Sequence, residues 1–104
     1  MRTDRASVPA AEFLESKLGP LTFGRFVRVW RERHEWTQIA AAKKLGMSKA
    51  SLCDIEKGRQ LVSVELAQRI AKKLGASESL ALECCLQDQL RKAKVQRWRV
   101  KLVA

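Results

Sequence analysis

The chain has 104 residues, enough for one domain with an appendage and a modest core that self-association would help to bury. Lys and Arg number 21 against 11 Asp and Glu, and the resulting net charge of +10 points to a polyanionic partner. The longest apolar run, Ile39 to Ala42, excludes a membrane span. Three cysteines without paired spacing, one histidine (His34) and no phosphate-loop glycine pattern leave no basis for a disulfide frame, metal, cofactor or catalytic constellation, so a non-enzyme of the reducing cytoplasm is expected.

Residues 1–8 are polar, with Arg2 and Arg5 but no apolar stretch of the kind a secretory signal needs. Pro9 suits a first helical position, and a short helix is expected over 9–18, stopped by Gly19-Pro20. These residues make an N-terminal arm and helix, 1–21. Thr22 can cap a second helix, in which Phe23, Phe26, Val27 and Trp30 form one apolar stripe and the arginines fall mainly around the other faces. Thr37, Ser48 and Ser63 then cap helices over about 37–45, 48–57 and 63–74, ended by Gly46, Gly58 and Gly75. Another runs from Ser77 to about Ala93. Trp30, Trp36, Cys84 and Cys85 read as core material, and Arg91, Lys92 and Lys94 as a solvated run.

The tail changes period. Trp98, Val100 and Leu102 alternate with Arg97, Arg99 and Lys101, which predicts a half-buried strand. A lone strand in a helical chain needs a partner, and the same strand of a second copy, antiparallel across a two-fold axis, is the simplest one. Trp98, Val100 and Leu102 would then be dimer contacts covering Leu86 and Leu90. The charge is also segregated: residues 21–62 hold nine basic and four acidic side chains, and residues 91–104 hold six basic and none acidic.

The stretch from Thr37 to Gly58 is a helix, a tight glycine turn and a second short helix, the helix-turn-helix plan in which the second helix lies in the major groove of DNA. Arg31, Gln38, Ala42, Gly46, Ser48, Leu52, Ile55, Glu56 and Gly58 also match the pattern of the XRE, or lambda-repressor-like, family, and the sequence resembles that family over residues 22–76. It departs at Glu35, where the family usually has glycine, and at Ala41, where leucine is common. The resemblance implies a mainly α, five- to six-helix fold with 22–76 as the DNA-binding domain, and the pattern of the remaining residues makes 77–104 a helix and strand for dimerisation or partner binding. It also places Lys49, Ala50, Ser51, Cys53 and Asp54 toward the bases. The residue spacing agrees for Lys49, Ala50, Cys53 and Asp54, since Leu52 and Ile55 share the opposite face. Lys49 suits guanine, Ala50 a thymine methyl and Asp54 cytosine N4. Gln38, Lys57, Arg59 and Gln60 are candidate phosphate contacts. Arg31 and Glu56 are implied to pair, tying the first helix of the domain to the end of the reading helix.

A homodimeric repressor of an inverted-repeat operator in double-stranded DNA is the expected function. The alternative is an antitoxin that represses its own operon and neutralises a protein toxin by contact. A basic RNA-binding module is a third reading, weakened by the lack of an aromatic RNA-recognition motif.

Overall fold

A computed structural model describes residues 21–95 and 97–103. They form five helices: α1 (Phe23–Arg33), α2 (Gln38–Leu45), α3 (Lys49–Glu56), α4 (Val64–Leu74) and α5 (Glu78–Lys92). The helix expected over 9–18 lies outside the described residues.

Both ends of every helix are set locally. Thr22, Thr37, Ser48, Ser63 and Ser77 each accept, through the side-chain hydroxyl, the backbone N–H three residues on. Each such cap is worth about 1 kcal/mol over alanine. At the other end, Glu35, Gly46, Gly58, Gly75 and Lys94 adopt positive φ, and the residue after each donates its N–H to the carbonyl five back, as Trp36 does to Arg31 and Met47 to Ala42. This arrangement satisfies carbonyls that a helix end would otherwise strand. Three of the stops use glycine, which has no Cβ to clash there; Glu35 and Lys94 carry a side chain in the same region at a cost of about 1 kcal/mol each. Glu35 therefore reproduces the glycine corner without the glycine.

The core is contributed by all five helices, with Val27, Leu52, Ile55, Ile70, Leu74 and Cys85 its largest fully buried side chains. Fully burying one such aliphatic side chain stabilises the fold by roughly 1.5–3 kcal/mol. Ala41 is fully buried, with Phe26 in the same core and Trp36 packed against it, where a leucine is common in the family. α5 packs along α4 and also against α1, so the last helix shares this core.

Two contacts fix the N-terminal end of α1. A Cβ built on Gly24 would stand 2.3 Å from the Ile55 carbonyl oxygen and 2.7 Å from that of Glu56, so glycine is what lets α1 lie against the end of α3. Asp88 of α5 accepts the Phe23 N–H through Oδ2 at 3.0 Å, adding a second acceptor to the α1 N-terminus beside Thr22. Burial pushes the Asp88 carboxyl above its usual range, while the Phe23 N–H and Arg91, paired to it at 2.7 Å, pull the other way.

The C-terminal strand is not formed: among the described residues there is no strand, and the tail over 97–103 is a turn, a bend and chain without regular secondary structure. Its partner is α5 of its own chain. Gln87 donates to the Trp98 carbonyl at 2.7 Å and accepts from the Val100 N–H at 2.8 Å, and Glu83 accepts from the Leu102 N–H at 2.9 Å. Positions 83 and 87 lie one turn apart on a helix, about 6 Å of rise, and match a two-residue step along an extended chain, which is between 6 and 7 Å. Two polar side chains thus stand in for a neighbouring strand. The tail lies over Leu80, Cys84 and Gln87, not over Leu86 and Leu90, and Trp98 is 62% exposed instead of half-buried. The alternation that suggested a strand ladder between two copies is answered within one chain.

Candidate nucleic-acid interface

Ser48 caps α3 and Gly46 turns the chain into it, so α3 leaves the α2 corner in a fixed direction. Leu52 and Ile55 are buried beneath it. On its outer side Lys49 and Ala50 are exposed and Ser51, Cys53 and Asp54 are half-buried. These five candidate reading residues therefore form one surface over an apolar seat, and the eight-residue helix is about 12 Å long.

The far end of α3 is tied down by charge. Arg31 donates to Glu56 twice, from Nε at 2.7 Å to Oε2 and from Nη2 at 3.2 Å to Oε1, and its Nη1 donates to the Trp36 carbonyl at 2.8 Å. The two side chains are 12% and 3% exposed. The bond to Glu56 raises the Arg31 pKa above its ordinary value, against the opposing effect of burial. Gln38, at the start of α2, donates from Nε2 to the same Oε1 at 3.0 Å. One carboxylate thereby joins α1, α2 and α3. The Gln38 side chain, read as a phosphate contact, commits one amide N–H to this junction and keeps the second as a donor for a phosphate.

Lys57, Arg59 and Gln60 are exposed just beyond α3. Arg59 pairs with Asp54 at 3.0 Å, an exposed contact between one residue assigned to the backbone of DNA and one assigned to its bases. A surface pair of this kind contributes at most about 1 kcal/mol, so DNA can compete for either partner. Cys53, the candidate reading thiol, is free and half-buried. Cys85 is buried, and burial, then the nearby Asp88 charge, raises its pKa.

Three features of this face escaped the sequence reading. Ile39 is 63% exposed beside Gln38. Arg69 and Lys73 of α4 line a groove of about 370 Å³ together with Ser51 of α3 and Gln60 of the following loop. Their spacing of four residues on the polar side of α4 is the signal that could have linked them, but nothing local in the sequence shows that this side adjoins α3. Trp98, Val100 and Leu102 lie at the tail clasp described above, where Val100 and Leu102 bond to α5 of the same chain through their N–H groups. Among the described residues, no three His, Cys, Asp or Glu side chains are grouped to hold a metal ion, and no helix is long and apolar enough to cross a membrane.

A family model described as a helix-turn-helix domain matches residues 22–83, well over half of the chain. The chain belongs to the XRE-like helix-turn-helix family. The match takes in α1 to α4 and enters α5, so this helix-turn-helix protein carries its buried Arg31–Glu56 pair within the family's own span. It is also similar to an uncharacterized HTH-type transcriptional regulator of Methanocaldococcus jannaschii, 43% identical over 49 residues that make up 47% of this chain and 74% of that protein. No solved structure matches the chain significantly.

Proposed function

We propose that this helix-turn-helix protein is a sequence-specific DNA-binding regulator of transcription, acting by binding alone as a homodimeric repressor on an inverted repeat. The observation that carries this reading is the outward surface of α3: Lys49, Ala50, Ser51, Cys53 and Asp54 on a capped helix of major-groove size, with basic and amide side chains at its end. The name of the archaeal relative agrees with it.

In this reading α3 enters the major groove. Lys49 donates to guanine O6 and N7, the Ala50 methyl meets a thymine methyl, and Ser51 and Cys53 contact neighbouring base edges. Asp54 accepts from cytosine N4, exchanging Arg59 for the base, and Arg59 turns to the phosphates with Lys57 and Gln60. Gln38 holds Glu56 through one amide N–H and donates the other to a phosphate. One α3 reads only a few base pairs, so two copies with half-sites about 10 bp apart supply the length that specificity requires. Occupying promoter DNA then blocks transcription.

Selection of bound duplexes from a random pool tests the proposal. Enrichment of an inverted repeat is expected, with Lys49→Ala relaxing preference at one base pair per half-site at a cost of about 1–3 kcal/mol. Arg59→Ala should weaken all duplexes alike. A pool that returns no duplex motif, or a Lys49→Ala protein with unchanged preference, removes α3 as the reading helix.

A further inference from the structure

The groove between α3 and α4 has an uneven chemistry. Leu45, Met47, Ile55 and Leu66 contribute its apolar wall, Ser51 and Gln60 its neutral polar groups, and Arg69 and Lys73 its charge, with no carboxylate among the lining residues. Neither Arg69 nor Lys73 has a hydrogen bond or ion pair among the described residues, although Glu65 lies one turn before Arg69 on the same helix. Lys73 instead reaches toward the α2–α3 corner, where its Nζ would be 3.9 Å from a Cβ built on Gly46.

Most lysines on this protein are ordinary solvated charges, and Lys72 and Lys73 both suit the last turn of α4, where cations are favoured. A helix-end role does not explain why Arg69, a full turn earlier, lines the same concavity as Lys73. Two like charges drawn into one groove without a counter-charge repel each other, and an anion seated there would relieve that repulsion. The position of the groove decides which anion. It is bounded by Ser51 on α3 and by Gln60 immediately after α3, so a duplex with α3 in its major groove brings a phosphate strand along this side.

We propose that the α3–α4 groove is a phosphate-binding site for the DNA strand bordering α3, with Arg69 and Lys73 as its cations and Gln60 as a hydrogen-bonding partner. The inference rests on the DNA-binding reading above and adds α4 to the contact surface. Phosphate contacts of this kind carry no base information; they set the depth and orientation of α3.

Duplex binding of the full chain is measured against salt concentration for the unaltered protein and for Arg69→Gln, Lys73→Gln, the double variant and Lys72→Gln. Glutamine keeps helix propensity and removes the charge. Each groove variant should lower the slope of log K against log salt by about one unit per subunit and weaken binding about fivefold near 0.15 M salt, with unchanged base preference. Lys72→Gln, outside the groove, should leave the slope close to that of the unaltered protein. Circular dichroism should show equal helix content in all of them. Slopes unchanged in both single variants and in the double overturn the site while leaving the reading helix in place. If the groove takes up inorganic phosphate, followed by amide shifts at Ser51 and Gln60, yet the slopes do not move, the site belongs to a free anion and the backbone assignment falls. Failure of the unaltered protein to bind any duplex overturns the DNA reading itself, and this site with it.

Discussion

Replacing Glu56 by alanine tests the junction of the three helices. The carboxylate is 3% exposed and accepts three hydrogen bonds, two from Arg31 and one from Gln38. Its loss leaves a guanidinium, itself only 12% exposed, with the Trp36 carbonyl as its remaining hydrogen-bond partner among the described residues. Breaking a buried ion pair from one side costs about 3–5 kcal/mol, and the lower figure applies because Arg31 keeps some access to water. At about 0.1 kcal/mol per residue, the roughly 80 described residues give a total stability of about 8 kcal/mol, so Glu56→Ala should remain folded but lose over a third of it. With a urea slope of about 1 kcal/mol per molar, the midpoint should fall by about 3 M. Arg31→Ala should be comparably harmful, and the double variant should be less destabilised than the two single losses added together, because neither charge is left stranded. Urea titrations of the three variants followed at 222 nm measure this. Additivity within about 0.5 kcal/mol would refute the claim that these side chains stabilise the fold by meeting each other.

Gly24→Ala tests the close approach of α1 to α3. Helix propensity alone favours alanine by about 1 kcal/mol, but the new methyl would meet two backbone oxygens that cannot swing away, so a net loss of about 2 kcal/mol and a melting point lower by about 10 °C are expected; a rise in melting point would contradict the contact. Glu35→Gly should stabilise by about 0.5 kcal/mol, since it relieves a side chain held at φ 59°, and unchanged denaturant midpoints would show that the corner is not strained. For Asp88, the folded-state pKa lies above the ordinary value, so the folded state binds more protons than the unfolded one in that window, and the group's contribution falls as pH rises through it. Asp88→Asn should therefore gain in relative stability between strongly acid and neutral pH, and a stability difference that stays constant with pH would count against this.

The helices were legible because their signals are local. Five hydroxyl residues cap five helices at the positions their sequence neighbours suggest, and the glycines at 46, 58 and 75 end the helices before them. Lys49, Ala50, Cys53 and Asp54 on the outer side of α3 followed from Leu52 and Ile55 sharing one face, and Ser51 from the family resemblance alone. What was not legible depends on residues distant in the chain. Gly24 reads as a weak point in a helix until the carbonyls of residues 55 and 56 are placed against it. Gln87 reads as a surface amide, yet it is buried and holds the tail. The tail carries the alternation of a strand in its sequence, but its alternate backbone N–H groups are taken up by Gln87 and Glu83 of α5. Periodicity does not report whether the partner is a strand or a pair of helix side chains.

The clasp of Gln87 and Glu83 on the tail has a consequence for how the domain opens. The Val100 and Leu102 amides are protected by side-chain acceptors alone, so their hydrogen exchange requires only that two side chains let go. The amides of α5 beneath them are secured by the helix and by the core under Cys84 and Cys85. Exchange should accordingly divide the last two dozen residues into a quickly exchanging tail and a helix that yields only near global unfolding. The tail is thus the least costly part of the described fold to detach, and its departure would bare Leu80, Glu83, Cys84 and Gln87 of α5 without disturbing α3.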